Sequence, residues 1–178
     1  LTAAPNFAYE LCAKKLDDAD LAGLDLSSLR LALNGAEPVS QATLEAFIQR
    51  FVPHGLQPEA ITPVYGLAEC SVGLAFPPLG RGPRIDAIRR DAFIGEKRAV
   101  PAAEGETGTM LLPACGRALA GHEIRIVGEA GDELPDRQVG CLQFRGPSAT
   151  RGYFRNPEAT QRLFRDGWLD SGDYAYMV

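Results

Sequence analysis

The 178-residue sequence lacks any apolar run near the roughly 20 residues that a membrane-spanning helix needs. It has only four cysteines, Cys12, Cys70, Cys115 and Cys141, with no Cys-x-x-Cys pair, and its two histidines, His54 and His122, lie far from them in sequence. Zinc-ligand spacings and a disulfide framework are therefore excluded as organising features. Scattered inert thiols suit a reducing, cytoplasmic setting. Basic charge is also short. Eighteen Lys and Arg face 23 Asp and Glu, for a net charge of −5. The local pairs Arg89-Arg90 and Lys97-Arg98 are interleaved with Asp91 and Glu96, so no basic face for nucleic acid is expected. There is no internal repeat, low-complexity linker or signal-peptide pattern. The chain starts at Leu1 rather than Met and stops at Met177-Val178 inside an apolar run resembling mid-strand sequence. Both ends read as cuts, and a piece of a longer protein is expected.

What is present is ordinary globular composition, 46% hydrophobic and 23% charged. Residues 6–16 have helical spacing, with Phe7, Leu11 and Cys12 on one side. Residues 30–34 read as a strand entering a loop at Gly35. Ser40 suits an N-cap, and Leu44, Phe47, Ile48 and Phe51 fall at i, i+3, i+4 and i+7, which predicts an amphipathic helix ending before Pro53. Strands are expected at 61–65 and 73–77, giving a layered α/β unit. From about residue 105 the texture changes to short β-like runs, TGTMLLP, HEIRIVG and GCLQFRG, with GEAGDELP as a hairpin connection. Asn156 and Pro157 predict a capped helix to about Phe164, followed by a turn and a strand in GWLDSGDYAYMV. The predicted class is α/β, becoming α+β at the C-terminal end: part of a layered α/β subdomain, then a small antiparallel β-barrel-like subdomain.

Three stretches concentrate glycine, acids and aromatics at strand ends, where α/β proteins place ligands. In Asn34-Gly35-Ala36-Glu37, small residues allow close backbone approach to a flat ligand, and Glu37 adds an acceptor; a plain strand-to-helix turn accounts for it as well. In Tyr65-Gly66-Leu67-Ala68-Glu69, Tyr65 can stack on a base and Glu69 can hold a hard cation such as Mg²⁺; a buried Tyr with a capping Glu is the alternative. In Ser171-Gly172-Asp173, the carboxylate can accept two hydrogen bonds from a ribose diol, or can merely stabilise the turn.

Taken in order, and with Gly152, Tyr153, Pro157, Glu158 and Thr160 in RGPSATRGYFRNPEAT, these stretches resemble the adenylate-forming superfamily of acyl-CoA synthetases, adenylation domains and luciferase. The resemblance runs over essentially the whole chain. It implies that Tyr65-Gly66-Leu67-Ala68-Glu69 lies over adenine and that Glu69 supplies the catalytic Mg²⁺ ligand. It further implies that Asp173 binds the ribose and that Asn34, Gly35, Ala36 and Glu37 line the adenine and acyl pocket. The run Gly152 to Thr160 marks the family and is expected to be mainly structural. Ser171 and Ala68 stand where threonine is usual.

Ala68, the run PNFAYELC at 5–12 and the 47 residues separating Glu69 from Gly116 resemble the fatty acyl-AMP ligase branch. That branch carries an insertion, expected here at Arg84 to Ala103 and packed on the domain through Ile85, Ile88, Phe93 and Ile94. The implied organisation is residues 1–80 as part of the acyl- and adenine-binding subdomain, 81–113 as the insertion-containing segment and 114–178 as the β-rich subdomain with the ribose-binding strand. The implied reaction converts fatty acid and ATP to acyl-AMP and pyrophosphate with Mg²⁺, the acyl group passing to the phosphopantetheine of an acyl carrier protein, in some relatives within polyketide assembly. The superfamily's phosphate loop and its C-terminal lysine domain are not in the sequence, so the chain alone is expected to be inactive. An ordinary acyl-CoA synthetase and a non-catalytic acyl- or carrier-binding module are the alternatives.

Overall fold

The computed structural model describes residues 1–178. In chain order the elements are β1 (Thr2–Ala4), α1 (Asn6–Lys15), β2 (Ala32–Asn34), α2 (Gln41–Phe51), β3 (Ile61–Pro63), β4 (Ala75–Phe76), β5 (Ile85–Arg89), α3 (Arg90–Glu96), β6 (Thr109–Pro113), β7 (Arg117–Ala118), β8 (Glu123–Val127), β9 (Gly140–Arg145), α4 (Pro157–Leu163), β10 (Phe164–Arg165) and β11 (Trp168–Ala175). They form two compact units. The first comprises 1–66, 75–86 and 111–117; the second comprises 67–74, 87–110 and 118–178.

In the first unit β1, β2 and β3 form a parallel sheet in that order, in register Ala3 to Leu33 to Thr62. Ser40 caps α2 by accepting from the Thr43 amide, as its sequence position predicts. The apolar stripe of α2 delivers Leu44 and Phe51 to a core with Tyr9, Leu21, Ala32, Leu56 and Ile61. Burying a side chain such as Leu44 contributes about 1.5–3 kcal/mol.

Helix α1 forms where expected but turns a different face inward. It buries Tyr9 and Asn6, while Phe7 and Leu11 are 60% and 52% exposed. The reason is the phenol. Tyr9 packs edge-on against Phe47 at 4.9 Å and donates to the Leu33 carbonyl at 2.8 Å. Burial and the nearby Cys12 push its pKa up to about 12.

In the second unit a four-stranded antiparallel sheet runs β10-β11-β9-β8. The β8–β9 hairpin is closed by the Gly128 amide donating to Asp132 and the Leu134 amide donating to Ile126. The alternation expected of β8 is broken on its polar side. Arg125 is half-buried because its guanidinium lies 4.3 Å from the Trp168 ring, while Arg145 lies 4.4 Å from the same ring. Asn156 caps α4 by accepting from the Ala159 amide, with Pro157 in its first turn.

Segment 84–103 is ordered, containing β5 and α3. Its apolar residues do not all pack as expected. Ile88 is fully buried, but Ile85 and Ile94 are 37% and 66% exposed, and the tight interior positions go to Ala92 and Ala99. Small residues suit these places because backbone lies against backbone. The Ala99 amide donates to the Arg137 carbonyl, and the Val139 amide donates to the Lys97 carbonyl, each at 2.8 Å. Phe93 meets Tyr176 edge-on, with ring centroids 6.2 Å apart.

Candidate active site

Within the first unit, the carboxyl ends of β2 and β3 carry two of the sequence-predicted segments. Asn34 ends β2 fully buried, and its carbonyl accepts from the Val64 amide at 2.9 Å. Its side-chain nitrogen donates to Asn6 Oδ1, while its own Oδ1 is buried without a partner. Asn34 thus braces the turn from inside. Gly35 is required there, since a Cβ would lie 2.9 Å from Val64 Cγ2 and 3.0 Å from the Val64 carbonyl oxygen. Ala36 follows at φ 66°, in the left-handed region, and such strain concentrates at functional turns. Glu37 is exposed, and one of its oxygens accepts the Phe7 amide at 2.5 Å. It therefore serves the uncapped start of α1. Tyr65 is fixed through its backbone by an antiparallel bridge to Ala75, at 3.0 and 2.9 Å, and Gly66 closes this unit's stretch.

Leu67, in extended conformation, precedes a 3₁₀ turn over Ala68–Cys70 in the second unit. Ala68 is exposed and Glu69 half-buried. Two consecutive non-glycine residues then adopt positive φ, Ser71 at 50° and Val72 at 79°; for β-branched Val72 this is a rare conformation. It is held from the 148–153 segment. The Thr150 amide donates to the Glu69 carbonyl at 2.7 Å, Ser71 Oγ donates to the Ser148 carbonyl at 3.1 Å, and Ser148 Oγ donates to the Cys70 carbonyl at 3.2 Å. Ser148 Oγ also lies 2.7 Å from His122 Nε2. The Tyr153 hydroxyl donates to Glu69 Oε1 at 2.6 Å, and that bond is the main cause of the raised Tyr153 pKa. The run from Gly152 to Thr160, read from sequence as mainly structural, thus reaches the carboxylate predicted to hold metal. A separation of 84 residues hides that contact from local pattern.

Asp173 lies in the same unit, within β11. Around it the strand is bulged: Asp170 pairs with Gln143 and Tyr174 with Cys141, so residues 171–173 face Leu142 alone. The sequence reading placed a turn before the strand; instead the strand begins at Trp168 and the excursion is internal. Side chains of the strand itself build it. Asp170 accepts the Gly172 amide at 2.9 Å, and Ser171 Oγ donates to the Leu142 carbonyl at 2.8 Å while accepting the Asp173 amide at 3.1 Å. Gly172 takes φ 75°. The result is an exposed Asp173 carboxylate within the strand, at a bulge of the kind that re-aims side chains.

The Glu69 carboxylate is a hard oxygen donor of the kind Mg²⁺ prefers, with one oxygen already committed to Tyr153. No group of three or more His, Cys, Asp or Glu could hold a metal. These residues fit an ion that draws its remaining ligands from phosphate oxygens and water.

The first unit thus carries the strained Gly35–Ala36 turn, and the second carries the Glu69 carboxylate held by Tyr153 and the bulge-borne Asp173. Residues 1–154 match the family described as AMP-binding enzyme, and the chain belongs to that family. Relatives include a 4-hydroxyphenylalkanoate adenylyltransferase of Mycobacterium marinum, 37% identical over 191 residues, covering 99% of this chain and 30% of that protein. The long-chain-fatty-acid–AMP ligase FadD26 of Mycobacterium tuberculosis is 35% identical over 185 residues, covering 97% and 31%. A solved structure from work on fatty acyl-adenylate ligases of E. coli and L. pneumophila superposes with TM-score 0.94 at 35% identity, covering 100% of this chain and 32% of that one. The chain spans about a third of the length of the curated relatives it matches.

Proposed function

We propose that the protein carrying this chain is a fatty acyl-AMP ligase. A fatty carboxylate oxygen attacks the α-phosphorus of ATP, the bond to the bridging oxygen breaks, and acyl-AMP and pyrophosphate result. The acyl group then passes to the phosphopantetheine thiol of an acyl carrier protein, with AMP leaving. The observation carrying this reading is that Glu69 and Asp173 are both built into special backbone and held by dedicated hydrogen bonds.

In this reading Tyr65, Gly66, Leu67 and Ala68 border the adenine, together with Asn34, Gly35, Ala36 and Glu37, and Asp173 accepts the ribose hydroxyls. Glu69 contributes one oxygen to Mg²⁺, which neutralises charge on the phosphates when bound. The outward Phe7 and Leu11 of α1 offer an apolar surface to the acyl chain. Positioning and charge stabilisation do the catalytic work, with no covalent enzyme intermediate. Four unpaired cysteines suit a cytoplasmic setting. The 178-residue chain by itself contains no Gly/Ser/Thr-rich loop ending in lysine, and it is expected to form no acyl-AMP.

The experiment supplies the full-length protein with labelled fatty acid, ATP, Mg²⁺, CoA and a phosphopantetheinylated carrier protein. Acyl-AMP and acyl-carrier are the expected products, with little acyl-CoA. Abundant acyl-CoA moves the protein to the acyl-CoA synthetases. No fatty-acid-dependent pyrophosphate release removes the ligase reading, leaving a non-catalytic acyl- or carrier-binding module.

A further inference from the structure

We infer that Tyr153 is a positioning residue for Glu69, tying the Gly152–Thr160 run to metal and nucleotide binding rather than to the fold alone. The inference rests on the proposed role of Glu69 in holding Mg²⁺.

A half-exposed glutamate has three side-chain torsions and many rotamers. A metal ligand needs one of them. The Tyr153 hydroxyl takes Oε1 at 2.6 Å, which fixes the carboxylate plane and leaves the second oxygen to face a cation. A hydrogen bond this short to an ionised acceptor belongs to the stronger class. The phenol meets the glutamate only if its own backbone is held, and three further contacts hold it. The Tyr153 amide donates to Thr160 Oγ1 at 2.9 Å, and Thr160 Oγ1 donates to the Asn156 carbonyl at 2.8 Å. Thr150 Oγ1 bridges the Gly152 amide and carbonyl at 3.2 and 3.1 Å. Gly152 sits at φ 138°, and a Cβ there would lie 2.5 Å from Thr160 Cγ2. Thus Gly152, Tyr153, Asn156 and Thr160 form one relay, from a helix cap to a carboxylate oxygen. The Thr150 amide closes it by holding the Glu69 carbonyl. A run whose sole duty was to cap α4 would not require a phenol hydroxyl at Tyr153; phenylalanine would serve.

The test uses the full-length protein and the variants Tyr153→Phe, Glu69→Gln, Thr160→Val and Tyr153→Phe/Glu69→Gln. Mg²⁺ binding is measured by calorimetry with a non-hydrolysable ATP analogue present, and pyrophosphate release is followed as Mg²⁺ is varied. Freeing the Glu69 rotamers, which a bound ion must then order again, is expected to raise the Mg²⁺ dissociation constant and half-activating concentration about threefold to tenfold in Tyr153→Phe. Thr160→Val should shift both in the same direction by less, and it carries the test if Tyr153→Phe does not fold. In the double variant, Tyr153→Phe should add nothing to Glu69→Gln. Unchanged Mg²⁺ affinity in Tyr153→Phe, with or without a fall in kcat, overturns the inference while leaving the ligase reading intact. Additive effects in the double variant overturn it too. If wild type and Glu69→Gln bind Mg²⁺ equally, the assigned role of Glu69 fails first, and the inference with it.

Discussion

Replacing Gly116 with alanine is expected to destabilise the protein by about 3–5 kcal/mol, and the cause can be separated into two parts. Gly116 has φ +92°, and an added Cβ would sit 2.1 Å from the Phe76 carbonyl carbon and the Pro77 nitrogen, and 2.2 Å from the Phe76 oxygen. The conformational part is about 1–2 kcal/mol, the usual cost of a left-handed L-residue. The remainder is steric. The obstructing atoms are backbone, so no side chain can swing away, and the chain at Gly116 must move off Phe76 and Pro77. Overpacking of this kind costs about 1–3 kcal/mol or more. Gly131→Ala is the control, with φ +86° and nothing within 4 Å of the added Cβ; it should cost only the conformational part. For a chain of 178 residues each kcal/mol lowers Tm by about 2–4 °C, so Gly116→Ala should fall by roughly 6–20 °C and Gly131→Ala by a few degrees. Thermal melts of both variants beside wild type decide the matter. Equal losses would show that the close approach at Gly116 carries no energy and that φ alone requires glycine.

Asp173→Ala in the full-length protein should reduce kcat/KM for ATP by about a hundredfold or more, from two lost hydrogen bonds to a charged acceptor at about 1.5–3 kcal/mol each; a variant keeping more than about half its activity would make Asp173 only a strand residue. Cys115 gives a pH prediction: burial raises its thiol from 9.0 to about 11. The unfolded chain therefore releases this proton first, so the folded state is unaffected below about pH 9 and loses stability as pH climbs toward 11. Cys115→Ala should flatten that alkaline loss by on the order of 2 kcal/mol, read from urea midpoints across pH 8–11; identical slopes in both proteins would contradict it. Replacing residues 84–103 by a short Gly-Ser link tests whether this segment restricts thiolation by CoA: acyl-CoA should rise with acyl-AMP retained, and an unaltered product ratio would remove the gating role.

Local chemistry made several elements readable in advance. Ser40 and the stripe from Leu44 to Phe51 announced α2, and Asn156-Pro157 announced α4, because caps and periodicity act within a turn or two. The hairpin of β8 and β9 followed from Gly and Asp between two β-like runs. What stayed hidden depends on partners far along the chain. Tyr9 wins the inward face of α1 because Phe47 and the Leu33 carbonyl receive it, and nothing near residue 9 encodes either. Ala36, Ser71 and Val72 adopt positive φ against their own preference, which only surrounding structure can impose. The candidate residues, Glu69 and Asp173 among them, could be named as residue types at spacings. The hydroxyl of Tyr153 on Glu69 and the bulge beneath Asp173 were not.

The bulge at residues 171–173 uncouples the length of β11 from its register. Side chains along a strand alternate between faces, and a bulge absorbs extra residues so that those beyond it stay opposite their partners. Here three residues face one, and Asp170 and Tyr174 pair with Gln143 and Cys141. The surplus is two, and the residues beyond the bulge keep the face they would have had in an uninterrupted strand. Length can therefore change at this point without disturbing the pairing beyond it. Losing one residue would leave a two-against-one bulge, with Tyr174 and Ala175 still opposite Cys141 and Gly140. Losing two would leave a regular, fully paired strand without the excursion that carries Asp173. The sheet can thus carry a loop-like presentation of a carboxylate in mid-strand without disturbing what lies on either side.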